Sequence, residues 1–147
     1  MKIRFEKVDS FKVFGYKVET NLDSASEDIG LLCNKYEEVL LKLADGNSLY
    51  GLMWYTEGHN YYYLIGIDDE SALMKNNIND FDTIEIPSSN FAIATVPENM
   101  DIIEAWTVYF ESELPKLGYV PDAEHGKYFE LHKSNGICEL WTPVIKM

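Results

Sequence analysis

The amino-acid sequence predicts an α+β fold: a tandem βαββ duplication whose antiparallel sheet carries two long helices on one face and has no partner within the chain on the other. Three observations carry this prediction. Several short segments alternate apolar and polar residues with the period of two that a half-buried strand imposes. Two stretches place apolar residues at helical spacing. The order strand, helix, hairpin then occurs twice, as a duplicated unit would have it.

Taken in chain order, Lys2 to Val8 and Phe11 to Thr20 alternate on either side of a bend near Asp9 and Ser10, which predicts two strands. Ile29, Leu32, Cys33, Tyr36, Val39, Leu40 and Leu43 then form one helical stripe. Ser24 and Glu27 have capping-box spacing at its start, and Asp45, Gly46 and Asn47 supply the stop. Leu49 to Thr56 and Tyr61 to Asp68 read as a hairpin turning through Glu57, Gly58, His59 and Asn60, and the stretch from Asp69 to Asp82 is polar and irregular. A strand from Thr83 to Val96, broken at Pro87, Ser88 and Ser89, leads through Pro97 to a second helix starting near Asn99. Its stripe is Ile103, Trp106, Phe110, Leu114 and Leu117, and Pro115 should end or kink it before Gly118. Lys127 to His132 and Ile137 to Ile145, joined by Lys133, Ser134, Asn135 and Gly136, make a closing hairpin. At one offset Asp28, Ile29, Tyr36, Glu38 and Leu41 fall on Asp101, Ile102, Tyr109, Glu111 and Leu114, which sets pseudo-repeats at roughly 1–70 and 80–147 within a single domain, 1–147.

Composition narrows the function. The chain has 147 residues, 46% of them hydrophobic, enough for a substantial core. Its net charge of -13 would repel a phosphate backbone, so nucleic-acid binding is not expected. No stretch approaches a membrane span, and Met1 to Phe5 enter strand-like sequence directly, so the expectation is a soluble, cytoplasmic protein. Cys33 and Cys138 are far apart, and His59, His125 and His132 share no ligand spacing, which reads as free buried thiols with neither metal nor cofactor. Aromatic residues, at 14%, are abundant and fall largely in strands. They are either core or the walls of a pocket.

Alternation assigns faces. In the last strand Cys138, Leu140, Thr142 and Val144 form the helix-facing set, leaving Glu139, Trp141, Pro143 and Ile145 opposite. With Phe129 and Leu131 taken as core, Tyr128, Glu130 and His132 join Glu139 and Trp141 on a face with no partner within the chain. The faces of Tyr50, Trp54, Tyr61 and Tyr63 stay open. Rings around a carboxylate would suit a flat cation, whereas an ordinary solvated sheet face carries the same residue types. His59 and His132 read as surface histidines, with no Ser or Cys nucleophile in a recognised motif near them.

Several short motifs, in order, carry a resemblance: Phe11-Lys12-Val13-Phe14-Gly15, the run Tyr61 to Asp68, Ile86-Pro87 with Asn90-Phe91-Ala92, Ile103-Glu104-Ala105-Trp106 with Leu114-Pro115 and Gly118-Tyr119, Tyr128-Phe129-Glu130-Leu131, and Cys138-Glu139-Leu140-Trp141-Thr142-Pro143-Val144. Over nearly its whole length the chain resembles the GyrI-like small-molecule-binding domain, also found as the effector-binding domain of AraC-type and MerR-type multidrug regulators. The resemblance implies an SHS2-type duplicated βαββ fold whose groove between the halves takes hydrophobic, aromatic or cationic compounds against an acidic residue. Glu130 and Glu139 match two glutamates of the family's last hairpin, with Glu130 the first choice, and Trp141 takes the place of a pocket ring. The candidate ligand-binding set is Glu130, Glu139, Trp141, Tyr128, Trp54, Tyr63 and Trp106. No helix-turn-helix precedes the domain, which implies a stand-alone member. Some stand-alone relatives are hydrolases of cyclopropane-containing genotoxic compounds, which would make Glu130 a general base. Gyrase-inhibitor relatives imply a third possibility, a protein partner.

Overall fold

The alternating segments become strands whose two sides are both apolar, and this decides how the sheet closes. The computed structural model describes residues 1–44, 48–122 and 127–147. In it, β1 (Ile3–Val8) and β2 (Phe11–Thr20) lead to α1 (Ala25–Ala44) and the hairpin of β3 (Leu49–Tyr55) and β4 (Tyr61–Ile67). A short α2 (Glu70–Lys75) precedes β5 (Asp82–Ile86) and β6 (Ser89–Thr95). α3 (Ile102–Val108) continues through a π-helical turn (Tyr109–Glu113) into α4 (Leu114–Lys116), and β7 (Tyr119–Pro121), β8 (Tyr128–His132) and β9 (Cys138–Lys146) follow.

Local chemistry explains the boundaries. Asn21 accepts the backbone N–H of Asp23 and Ser24, each at 3.0 Å, and Thr20 donates to Asp28 at 2.7 Å, which holds the entry to α1. The stop expected at Asp45, Gly46 and Asn47 lies outside the described residues, as does His125. Helix α2 was not foreseen, because six residues are too few to show a period; Asp69 caps it by accepting the Ala72 N–H. Pro115 has no N–H to return to the carbonyl of Glu111, and the π-helical turn lies immediately before it. Gly118, at φ +84°, ends the run.

The sheet order is β1-β6-β9-β8-β3-β4-β2-β5, antiparallel throughout, with β7 added beside β9. β1 and β2 run against β6 and β5 as one long ribbon, from Ile3 opposite Ala94 to Val8 opposite Ser89, then from Phe11 opposite Ile86. This ribbon bends at Asp9–Ser10 and at Pro87–Ser88 and joins the two ends of the strand order. The sheet must therefore roll toward itself.

Rolling creates two kinds of core. On the outer face, α1 packs Leu32, Leu40 and Ala44 onto Phe14, Leu49, Tyr63, Ile65 and Ile67. α3 and its continuation pack Ala105, Tyr109 and Leu114 onto Ala92, Ala94, Leu140 and Val144. The second helix is thus turned from the predicted stripe: Ile103 and Leu117 are exposed, while Trp106 and Phe110 sit half-buried at its margin. On the inner face, Val13, Leu52, Leu64, Ile86, Phe91, Ile93, Phe129 and Leu131 form one buried cluster, joined by Val8 and Trp141. The face expected to lack a partner within the chain therefore closes on itself. Among the described residues no helix is long and apolar enough to cross a membrane.

Candidate functional site

Register, which alternation within one strand does not supply, decides which carboxylate faces what. Glu130 lies opposite Leu140 of β9 and Gly51 of β3. Leu140 is packed under α3, so Glu130 points to the helix-bearing face, at the seam between the areas that α1 and α3 cover. This corrects the shared face expected for Tyr128, Glu130, His132, Glu139 and Trp141: the first three face the helices, and the last two face the rolled interior. Phe129 and Leu131 are core residues, but of the inner core.

Glu130 is 8% exposed, and its oxygens are held from three elements. Oε1 accepts from the Tyr63 hydroxyl of β4 at 3.2 Å and lies 3.2 Å from Nε2 of His132. Oε2 accepts from the Trp106 indole of α3 at 3.0 Å. Gly51 makes this possible, because a Cβ there would overlap the Tyr63 ring and hydroxyl and approach Glu130 Oε1 to 3.1 Å. Around the carboxylate stands a wall of half-exposed rings. Trp106 lies 5.5 Å from Tyr128 and 5.2 Å from Phe110, and Phe110 meets Tyr128 edge-on at 5.8 Å.

Burial, reinforced by Glu130, pushes the Tyr63 hydroxyl well above its ordinary range, and burial raises Tyr128 as well. Both remain neutral, and Tyr63 remains a donor. His132 behaves differently. The Cys138 side chain across the β8–β9 pair and then Glu130 raise it to about 10 against the opposing effect of burial, which favours the imidazolium form.

The candidate set therefore divides. Glu130, Tyr63, Trp106 and Tyr128 come together; Glu139, Trp141 and Trp54 lie on the other face. Glu139, 3% exposed, accepts from Arg4 at 2.7 Å and from the Trp141 indole at 3.2 Å, with Lys133 at 3.3 Å. Burial alone would raise its pKa, but these partners together hold it below the usual carboxylate range. Trp141 stacks on Phe129 at 5.3 Å and 17°, and Trp54 packs on Tyr62 at 5.3 Å. His132, expected at the surface, has a side chain 42% exposed and also pairs with Glu130; its place two residues from Glu130 on one strand was the available signal for the pairing. Cys33 and Cys138 are free, as expected, but half-buried rather than buried.

Two open grooves lie away from this cluster. One, of about 550 Å³, runs past Phe5, Asn90, Tyr119 and Ile145; the other, of about 350 Å³, is lined by Tyr16, Lys35, Tyr36 and Ile78. Neither reaches Glu130. Among the described residues no group of three His, Cys, Asp or Glu side chains is placed to hold a metal ion.

The class of protein to which this fold belongs is the small-molecule-binding domains. Comparison gives the family: the chain matches the GyrI-like small molecule binding domain over residues 1–145 and belongs to it. Among solved structures it is similar to the Vibrio cholerae integron cassette protein VCH_CASS2, with a TM-score of 0.75, 18% identity, and 97% of this chain and 95% of that one covered. It is also similar to SAV2435 bound to tetraphenylphosphonium, with a TM-score of 0.69, 20% identity, and coverage of 99% and 94%. A third likeness is to a hydrolase from Listeria innocua, with a TM-score of 0.57, 13% identity, and coverage of 98% and 92%. At these identities the likenesses establish the shared fold. No curated protein matches the chain at a significant level.

Proposed function

We propose that the seam between α1 and α3 binds a bulky aromatic cation against Glu130, for sequestration or sensing of a drug-like or toxic compound, and that it divides the domain into halves near 1–70 and 80–147. One observation carries the reading: a carboxylate at 8% exposure lies beneath half-exposed Trp106, Tyr128 and Phe110. A poorly hydrated carboxylate attracts cations strongly, and ring faces add cation–π attraction. The neighbouring structure with tetraphenylphosphonium supports a ligand of this chemistry. The Trp106 indole would release Oε2 and stack on the arriving ligand. Titration calorimetry with tetraphenylphosphonium tests this. Glu130→Gln is expected to lose at least about tenfold in affinity, roughly 1.4 kcal/mol, while staying folded. Equal affinity in the two proteins would remove Glu130 from the site.

A second reading rests on the same pair and on the Listeria neighbour. In it Glu130, beside Trp106, takes a proton from water as the water oxygen bonds to a carbon of a strained ring; the C–C bond there breaks, its electron pair passes into the aromatic portion, and the proton returns from Glu130 to that portion, so that one water is added. A mass gain of one water in a cyclopropane-bearing substrate, lost in Glu130→Gln while binding persists, would establish turnover. An unchanged substrate would leave the binding reading alone.

A further inference from the structure

The Glu130 cluster already contains a cation. Among the described residues His132 is the basic side chain within ion-pair distance of Glu130, with Nε2 3.2 Å from Oε1. The other partners of the carboxylate, the Tyr63 hydroxyl and the Trp106 indole, are neutral donors. We propose that His132 is the resident counter-ion of Glu130 and that an incoming cation takes its place, so that the cleft exchanges a proton for the cation it binds. The inference rests on the proposed role of Glu130 and adds what sets the charge preference of the cleft.

His132 owes its raised basicity to two neighbours, the Cys138 side chain first and Glu130 second. Cys138 faces it from β9 and Leu49 lies opposite on β3. β4 contributes Tyr63, and Cys33 of α1 senses both Glu130 and the exposed Glu37 of its own helix. α3 presents the uncharged Trp106. Lys133 is turned to Glu139 on the opposite face. A permanent cation seated on Glu130 would repel the imidazolium and screen the carboxylate that favours it. The imidazole pKa then falls by the part that Glu130 supports, Cys138 keeping its own, and the proton passes to solvent more readily as pH rises. Affinity for a permanent cation should therefore rise with pH up to the free-protein titration of His132, by at most about tenfold per unit, whereas a neutral aromatic of similar size gains nothing.

Tetraphenylphosphonium is the probe, because it has no proton of its own to give. At pH 7.5, calorimetry in phosphate and in Tris is expected to report net proton release, at most about one proton per cation bound by the wild type. His132→Gln should bind at least about threefold more tightly at pH 7, release no proton, and show a flat pH profile. Imidazole NMR of the ligand-free wild type should show His132 still protonated above about pH 8. If the cation binds, depends on Glu130, and yet releases no proton, exchange is overturned and the Glu130 reading stands. A free-protein titration of His132 near ~6.5 also overturns exchange, even should His132→Gln fail to fold. Absent binding, or binding indifferent to Glu130→Gln, sinks both.

Discussion

Glu130 and Glu139 are both buried carboxylates, and their partners give them different work. Glu139 meets a guanidinium, an ammonium and an indole N–H, so its charge is matched in place. Its task is to tie β1 to β9. Glu139→Gln should therefore destabilise the fold by about 1–2 kcal/mol in urea unfolding and change tetraphenylphosphonium affinity by no more than about twofold. Because the folded-state pKa of Glu139 is depressed, its contribution is present above the unfolded value of about 4.5 and is lost as pH falls below it. The acid limb of a melting curve, compared between wild type and Glu139→Gln, checks the sign. Gly51→Ala should act on the site instead. Its methyl displaces the Tyr63 hydroxyl from Glu130, and cation affinity should change by more than about threefold even where the melting temperature moves little.

At the scale of elements, glycines on opposite sides of the sheet distinguish open space from close approach. Gly30, within α1, has nothing near the position of an added Cβ, so Gly30→Ala should raise stability by about 0.5–1 kcal/mol. Gly15 faces Gly66 across the β2–β4 pair, and a Cβ there would run into the backbone of Ile65. Gly15→Ala should cost more than about 2 kcal/mol, measured by the same unfolding series. The strands, α1 and both hairpins were legible because each carries its own period. Short α2 and β7 were not, having too few residues to show one. The faces of β8 failed for a more instructive reason. Alternation correctly separated Phe129 and Leu131 from Tyr128, Glu130 and His132, and it correctly made the first pair core. A single core face was assumed, however, and the molecule buries apolar residues on both faces of the sheet. Which core a strand addresses depends on register across the Lys133–Gly136 turn, where Lys133 N–H bonds the Ile137 carbonyl and Gly136 takes φ +86°. A shift of one residue there would exchange the faces of Glu130 and Glu139 relative to each other. Trp106 was found as a candidate, although its partner was hidden, because no local pattern links an indole on a helix to a carboxylate on a distant strand.

For the molecule as a whole, the two buried clusters should bracket stability from opposite sides of pH. His132 has a raised pKa, so its contribution is complete below about 6.5, declines as pH rises, and is gone above about 10. Glu139 fails in acid; His132 fails in base. Melting temperature against pH should show a plateau between, and His132→Gln should flatten its alkaline limb without altering the acid one. The bent ribbon has a consequence for how the chain is made. Ile3 of β1 must pair with Ala94 of β6, and β6 in turn with β9, so β1 waits for a partner strand synthesised well after it. Until then its edge is bare, and the fold cannot be completed in the order of synthesis. Refolding from urea should accordingly be slow, in the millisecond-to-second range of folds built on distant pairings, and a nascent chain halted before β9 should be open to proteolysis along its whole described length.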